Sequence, residues 1–376
     1  MSSERRPRVL HVVDTFGATS ETFVYRYVVG HRAFDAAVVC RTRANADRFP
    51  FERVTVVDDP LSRRASAHWI SKTLLRVTGR SLWHRGVARA VTAWQPDVLH
   101  AHFGQVAVSV LPALATGGPP LVTSFYGYDA AVLGRDPRWR ARYAELFTAA
   151  SAVLAEGPAM RARLLALGAP EDRTFVQPVA VDVQALPTWT APDRPTALFV
   201  GRFVEKKGLA DALRAVARAR VDVPDLVFRV IGDGPEREAA TRLAADLHLA
   251  DVVRFEGLRP YADVVGALSR ASVLVHPSAV AADGDAEGGA PTILIEAQAI
   301  GTPIVTTRHD DIPFVTGGGG PGIWLCGEHD VPALAAAIVD AVRTRTASSS
   351  AHVRAHHDVR VEVDRLEALY RRVMAG

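Results

Sequence analysis

The chain has 376 residues, 48% of them apolar and 23% charged, and carries a net charge of +3. That length exceeds one ordinary hydrophobic core, and the composition is that of a soluble globular protein of two domains. No apolar run approaches the roughly 18–20 residues of a membrane span, and Cys40 and Cys326 stand in no metal-ligand spacing, which excludes a disulfide framework and a zinc site.

The N-terminus, MSSERRPRVLHVV, lacks the apolar region of a secretory signal, so a cytoplasmic location is expected. Taken in chain order, RVLHVV (8–13) and AAVVC (36–40) read as buried strands. Residues 61–90 then hold seven basic residues and no acid, with Trp69, Ile70, Leu74, Val77, Leu82 and Trp83 at helical spacing. Such a segment suits either a peripheral contact with an anionic membrane or a surface helix packed on its own domain. It contributes to an asymmetry: residues 1–190 carry 23 basic against 16 acidic residues, the remainder 21 against 25. No nucleic-acid partner is expected.

DVLHAH (97–102), PLVTSF (120–125) and AVLAE (152–156) continue the strand series, with His100 and His102 alternating on one strand as a packed pair. A Pro-rich break, QALPTWTAPDRP (184–195), divides the chain into comparable halves. The rhythm restarts with TALFV (196–200), LVFRVIG (226–232), VVRFEG (252–257), SVLVHP (272–277) and TPIVTT (302–307). Strands alternating with helices of this length predict α/β architecture, with two doubly wound parallel sheets facing across a cleft. The expected division is residues 1–186, residues 187–360, and a C-terminal amphipathic helix over 361–376. In such sheets ligands sit beyond the carboxyl ends of the strands.

Three stretches carry chemistry. VIGDGPE (230–236) loosely resembles a dinucleotide fingerprint, but Arg237 stands where a third glycine belongs, and a tight strand-to-helix turn explains it better. ALFVGRFVEKKGLADALRAV (197–216) ends a strand at Gly201 and sets Arg202 and Lys207 on the loop before a helix. A close-approach glycine, a guanidinium fork and a mobile ammonium suit a diphosphate near a helix N-terminus. In DAEGGAPTILIEAQAIG (285–301), Gly288 and Gly289 free backbone amides ahead of a helix, and Glu296 lies about one turn inside it. An anion site with a carboxylate one turn deeper fits one ligand bearing a phosphate and a ribose diol. The DGD at 283–285 invites a metal, but Arg202 and Lys207 already supply the neutralising charge, and no metal site is assigned.

GRFVEKKG followed by EGGAPTILIEAQAIGTPIV resembles the donor half of the family-4 retaining glycosyltransferases of GT-B fold, two Rossmann-like domains facing across a cleft. SETFV (20–24), HAHFG (100–104) and SFYGYD (124–129) are similar to the N-terminal half of that family, in its exopolysaccharide and colanic-acid branch. The resemblance implies an N-terminal acceptor-binding domain and a C-terminal nucleotide-sugar domain, with a last helix crossing back to the first domain. It implies that Arg202 and Lys207 bind the diphosphate and that Gly201, Glu287, Gly288, Gly289, Ala290, Pro291, Thr292 and Arg259 contact the donor. Glu296 would hold the ribose. Tyr126 and Asp129 would stand near the sugar, and Thr19, Ser20, Glu21 and His102 on the acceptor side. Two departures are evident: Glu287 lies nine residues before Glu296 where the family spaces its glutamates by eight, and Tyr126 replaces the family histidine.

The expected activity is transfer of a sugar from a nucleotide-diphosphate sugar to an acceptor hydroxyl with retention of configuration, independent of metal or cofactor. The acceptor is a lipid-linked glycan or a small-molecule scaffold. A nucleotide-sugar epimerase and a non-catalytic nucleotide-sugar-binding protein are the competing classes.

Overall fold

The computed structural model describes residues 5–57, 83–114, 117–286 and 290–376. The chain forms two compact units: residues 1–180 with 359–376, and residues 181–358. In the first unit, strands β1 (Arg8–Phe16), β2 (Asp35–Arg43), β3 (Val54–Val56), β4 (Val98–His102), β5 (Leu121–Phe125), β6 (Ala152–Ala155) and β7 (Thr174–Val176) form one sheet. Their order is β3-β2-β1-β4-β5-β6-β7, and every described pairing is parallel. In the second unit, β8 (Thr196–Val200), β9 (Val227–Ile231), β10 (Val253–Gly257), β11 (Val273–His276), β12 (Ile304–Thr307) and β13 (Ile323–Cys326) pair in parallel in the order β10-β9-β8-β11-β12-β13. The central strands are the continuous apolar runs of the sequence, since they are buried on both faces. The strands with no clear sequence signal, β3, β7 and β13, are three or four residues long, and each lies at an edge of its sheet.

Each sheet reverses its winding once, between β1 and β4 in the first unit and between β8 and β11 in the second. Helices leaving neighbouring strands toward opposite faces open a crevice there, beyond the carboxyl ends.

Alternate residues of the first sheet feed two cores. Leu10, Val12, Leu99, Ala101 and Phe125 pack on one face, with Trp83, Tyr143 and Leu146 over them. Val9, Val98, Val122 and Leu154 pack on the other, under Tyr27 of the helix Thr22–Gly30 and under Val363, Leu366 and Tyr370 of the C-terminal helix Val359–Met374. That last helix approaches closely at Gly30, where an added Cβ would lie 2.8 Å from Val363. Most of the basic segment 61–90 falls outside the described residues. At its far end Trp83 is fully buried in the first core and donates to Ser109 at 2.8 Å, and the helix His84–Trp94 follows.

VIGDGPE is a tight turn from β9 into the helix Arg237–Asp246. Gly232 takes φ +138°, and a Cβ there would lie 1.9 Å from the carbonyl oxygen of Gly201. The turn of β9 therefore props the end of β8. Gly232→Ala is expected to destabilise the chain by about 2–4 kcal/mol, since the obstruction is backbone rather than a flexible side chain. Denaturant unfolding measures it, and a change below about 0.5 kcal/mol, the range of an ordinary surface substitution, would contradict the tight packing of these two strand ends.

Candidate active site

In the second unit the site residues gather at the reversal between β8 and β11. Gly201 and Arg202 follow β8 directly, and a short 3-10 turn, Glu205–Lys207, precedes the helix Leu209–Ala219. Gly208, at φ +69°, joins the two; a Cβ there would strike the carbonyl of Pro277 at 2.0 Å, so the turn lies against the end of β11. Arg202 is exposed, and no acid is paired with it among the described residues. Lys207 is half-buried and close enough to His276 to affect its charge.

His276, the last residue of β11, was read in the sequence as part of a strand and nothing more. It is fully buried, stacks on Phe199 with ring centroids 5.9 Å apart, and has no well-formed hydrogen bond at either ring nitrogen. Burial, then the neighbouring Lys207 charge, push it well below the usual histidine range, so it is a neutral ring. No spacing rule marks it; only the pairing of β8 with β11 brings it to Gly201.

The adjacent cation, Lys206, has a different task. Its Nζ lies 2.9 Å from Oδ2 of Asp285 and donates to the carbonyl of Ala286 at 3.1 Å. Glu205 accepts from the amide of Ala282 and Glu328 from that of Val280, both at 3.0 Å. The loop after β11 is thus clasped on three sides. Asp283 accepts from the amide of Asp285 at 2.8 Å, so both acids of the DGD triplet are engaged within the chain.

Glu287, Gly288 and Gly289 lie outside the described residues. The chain resumes at Ala290 and Pro291, both buried, and Pro291 caps the helix Thr292–Ile300, which ends at Gly301 with φ +96°. Thr292, in its first turn, is half-buried. Glu296 is 4% exposed, and its Oε1 accepts from the Tyr261 hydroxyl at 2.9 Å. Tyr261 belongs to the helix Tyr261–Leu268 and was not singled out in the sequence. Arg259 is exposed and faces Glu256 at 3.4 Å, a carboxylate already held low by Arg229.

In the first unit the reversal lies between β1 and β4. Glu21 sits just before the helix Thr22–Gly30; burial, then Asp14 at the end of β1, push its carboxyl up to about 7. Thr19 and Ser20 are exposed in the preceding turn. Tyr126 follows β5 and packs against Phe23 and Phe103, with centroids 4.7 and 4.9 Å away. Asp129 is fully buried and accepts from the amides of Gly104 (2.9 Å), Tyr126 (3.0 Å) and Ala130 (3.1 Å). Its carboxylate is consumed by backbone, so it braces the turn that carries Tyr126. Burial raises it to about 6 against those three amides.

His100 and His102 do stack, 4.3 Å apart and 26° from parallel, but they are not an isolated pair. His11 lies opposite His100 in the β1–β4 register, and His31 adjoins His11. Ring nitrogens of His11, His100 and His102 come within 4.8 Å of one another, near enough to hold a metal ion. All six already have partners: His31, Tyr126, Tyr370, Ser124 and one another. The donor set is that of a hydrogen-bonded cluster.

Comparison with known proteins bears on the family and the fold. Residues 20–185 match the Glycosyltransferase Family 4 model and residues 188–355 the Glycosyl transferases group 1 model. A protein of Salmonella typhimurium named for colanic acid biosynthesis, the glycosyltransferase WcaL, is 32% identical over 65% of this chain and 61% of its own length. The amylovoran biosynthesis glycosyltransferase AmsK of Erwinia amylovora is 29% identical over 65% of this chain and 60% of its own. These matches span less than two thirds of either relative. Among solved structures, Anabaena Alr3699/HepE in complex with UDP and glucose superposes over 97% of this chain and all of that one, with a TM-score of 0.77 at 17% identity. Sucrose-phosphate synthase from Thermosynechococcus elongatus gives the same TM-score at 18% identity, over 98% of this chain and all of that one. Both likenesses establish the two-domain GT-B fold. With one domain model on each half, the chain belongs to the glycosyltransferases that join a family 4 domain to a group 1 domain.

Proposed function

We propose that the protein transfers a sugar from a nucleotide-diphosphate sugar to an acceptor hydroxyl, with retention of configuration and without a metal ion. The observation that carries this is the cation pair at the β8–β11 reversal: Arg202 is unmatched by any acid among the described residues, and Lys207 lies near enough to the buried His276 for its charge to hold that ring neutral. A departing diphosphate develops negative charge, and preorganised cations at that point stabilise the transition state. The metal alternative would draw on Asp283 and Asp285, which the chain already uses to close its own loop. Glu296, set deep in its helix and oriented by Tyr261, is the group for the ribose hydroxyls.

Support for a polysaccharide-type acceptor comes from the names of relatives in colanic acid and amylovoran biosynthesis. A relative in Mycolicibacterium smegmatis, 29% identical over 65% of this chain, is named as a GDP-mannose-dependent mannosyltransferase acting on a phosphatidylinositol monomannoside, so a lipid-linked acceptor fits as well. No helix among the described residues is long and apolar enough to cross a membrane. Contact with a lipid surface would fall to residues 61–90. On the acceptor side Glu21, with its carboxyl near 7, accepts a hydrogen bond from a hydroxyl of the incoming glycan once ionised. The acceptor proton leaves with the departing phosphate.

Arg202→Ala and Lys207→Ala are each expected to lower kcat by about 100- to 1,000-fold, the usual loss when one donor to a developing charge is removed. Transfer should persist in EDTA. Activity assayed with a panel of labelled nucleotide sugars, with and without acceptor, checks both. Turnover without acceptor would favour an epimerase, and binding without turnover a nucleotide-sugar sensor.

For the nucleotide, Glu296→Ala should weaken the free diphosphate by about 1–3 kcal/mol, the cost of losing a charged acceptor, and Glu287→Gln by less. Calorimetry ranks them, and the opposite order would exchange the roles of the two glutamates.

A further expectation concerns pH. Glu21 must be ionised to accept from a hydroxyl, and its carboxyl titrates near 7, so the KM for acceptor should fall as pH rises through about 7. In Glu21→Gln that dependence should vanish. A profile unchanged by the substitution would remove Glu21 from the site.

A further inference from the structure

Three histidines that the donor chemistry leaves unused run in single file from the segment before β2, across β1, to the carboxyl end of β4. Glu367, on the C-terminal helix, accepts from the amides of Arg32 (2.8 Å) and Ala33 (3.0 Å) and faces Nδ1 of His31 at 3.2 Å. Nε2 of His31 meets Nε2 of His11 at 3.1 Å, and Nδ1 of His11 meets Nε2 of His102 at 3.0 Å. The file ends where Nδ1 of His102 meets the Tyr126 hydroxyl at 2.9 Å. Its members come from five separate stretches of chain: the C-terminal helix, the segment before β2, β1, β4, and the turn after β5.

Proton counting gives the file a direction. A neutral imidazole has one N–H and one lone pair. Burial keeps His11 and His102 neutral, driving the first well below its usual range and the second down to about 3. Glu367 stays ionised: burial works against it, but His31 and the two amides bring its carboxyl down to about 2. A carboxylate only accepts, so Nδ1 of His31 donates to it, and the order of the rest is set by whether Nε2 of His31 carries a proton as well. With Nε2 of His31 unprotonated, the state the proposal below takes, His11 donates from Nε2 and accepts at Nδ1. His102 must do the same. The acceptor left at the end, Nδ1 of His102, takes the hydrogen of the Tyr126 hydroxyl, whose oxygen is then an acceptor, with the Ser124 hydroxyl as its nearest protein neighbour.

We propose that Glu367, acting through His31, His11 and His102, is a positioning residue that holds the Tyr126 hydroxyl as a hydrogen-bond acceptor for a sugar hydroxyl beyond the carboxyl end of β5. Only the identity of that partner rests on the glycosyl-transfer reading; the order of protons does not. The benefit is preorganisation: a tyrosine whose O–H is already committed inward does not reorient when a hydroxyl arrives. His100 forms a parallel strut from Tyr370 of the same helix (2.6 Å) to Ser124 (2.8 Å), stacked on His102.

Nitrogen-15 histidine spectra of the full chain, with two-bond proton correlations separating the two tautomers, test the order directly. His31 should carry its proton on Nδ1, and His11 and His102 on Nε2. Glu367→Gln keeps an oxygen acceptor in place and should keep this pattern. Glu367→Leu removes it and should leave His11 and His102 as tautomer mixtures. In transfer assays Glu367→Leu and Tyr126→Phe should each lower kcat by about tenfold or more with little change in KM, the mark of an interaction made in the transition state. Glu367→Gln should stay within about twofold of wild type, since it keeps the hydrogen bond. Protons on Nδ1 of His11 and His102 in the wild type, as a doubly protonated His31 would impose, overturn the proposal. So does uptake of zinc by His11, His100 and His102. Spectra as expected with undiminished transfer by Tyr126→Phe would overturn the positioning role. A chain that transfers no sugar at all would leave the spectra to decide the proton order alone, and so separates the two readings.

Discussion

The constraint on which the structure depends is the single reversal of winding in each parallel sheet, between β1 and β4 and between β8 and β11. A parallel strand must be followed by a crossover, and neighbouring crossovers that turn to opposite faces leave the carboxyl ends of their strands uncovered. What the chain puts there is mostly polar and charged. In the second unit it is Gly201, Arg202, Lys207 and His276; in the first, Asp14, Glu21, His102 and, from the neighbouring β5, Tyr126. The glycines permit these ends to come together, since Gly208 and Gly232 each stand where a Cβ would collide with backbone.

The two units meet the cost of buried polarity differently. In the second, charged groups next to the site are tied into loop closure, so that Lys206 and Asp285 neutralise one another while Arg202 is left open. Of the KK pair, Lys206 holds the loop, while Lys207 is near enough to His276 to affect its charge. In the first unit, burial of four histidines, two tyrosines and a carboxylate is tolerable because nearly every polar atom has a partner. Two of those partners, Glu367 and Tyr370, lie on the C-terminal helix, three residues apart and therefore on one face. The helix is joined to the first sheet by this polar face as well as by Val363 and Leu366.

The long central strands were legible because they are buried on both faces and so read as unbroken apolar runs. The glycine-bounded helix Thr292–Ile300 and the loop carrying Arg202 and Lys207 were legible too, since their signals are local: a strand end, a glycine, a capped helix start. The edge strands β3, β7 and β13 were not, being too short and too open on one side to show a period. The family resemblance placed Asp129 with Tyr126 near the sugar. Its three backbone bonds, including one to Gly104 from a different strand connection, turn it into a brace.

What the sequence by itself determined is the alternation of strand and helix, the division into two halves, the family, and the cations and carboxylates that stand next to glycines at strand ends. These are short-range facts, carried by residues within a few positions of one another. Only the tertiary structure decided which groups share a site. His276 comes to the end of β8 because β11 pairs with β8, and Tyr261 to Glu296 because their helices lie together. His11, His31, His102, Tyr126 and Glu367 form a line although His31 and Glu367 are separated by 336 positions. The reason is physical: hydrogen-bond order among buried rings depends on which atoms meet at about 3 Å, and sheet register and helix docking set those meetings, not spacing along the chain.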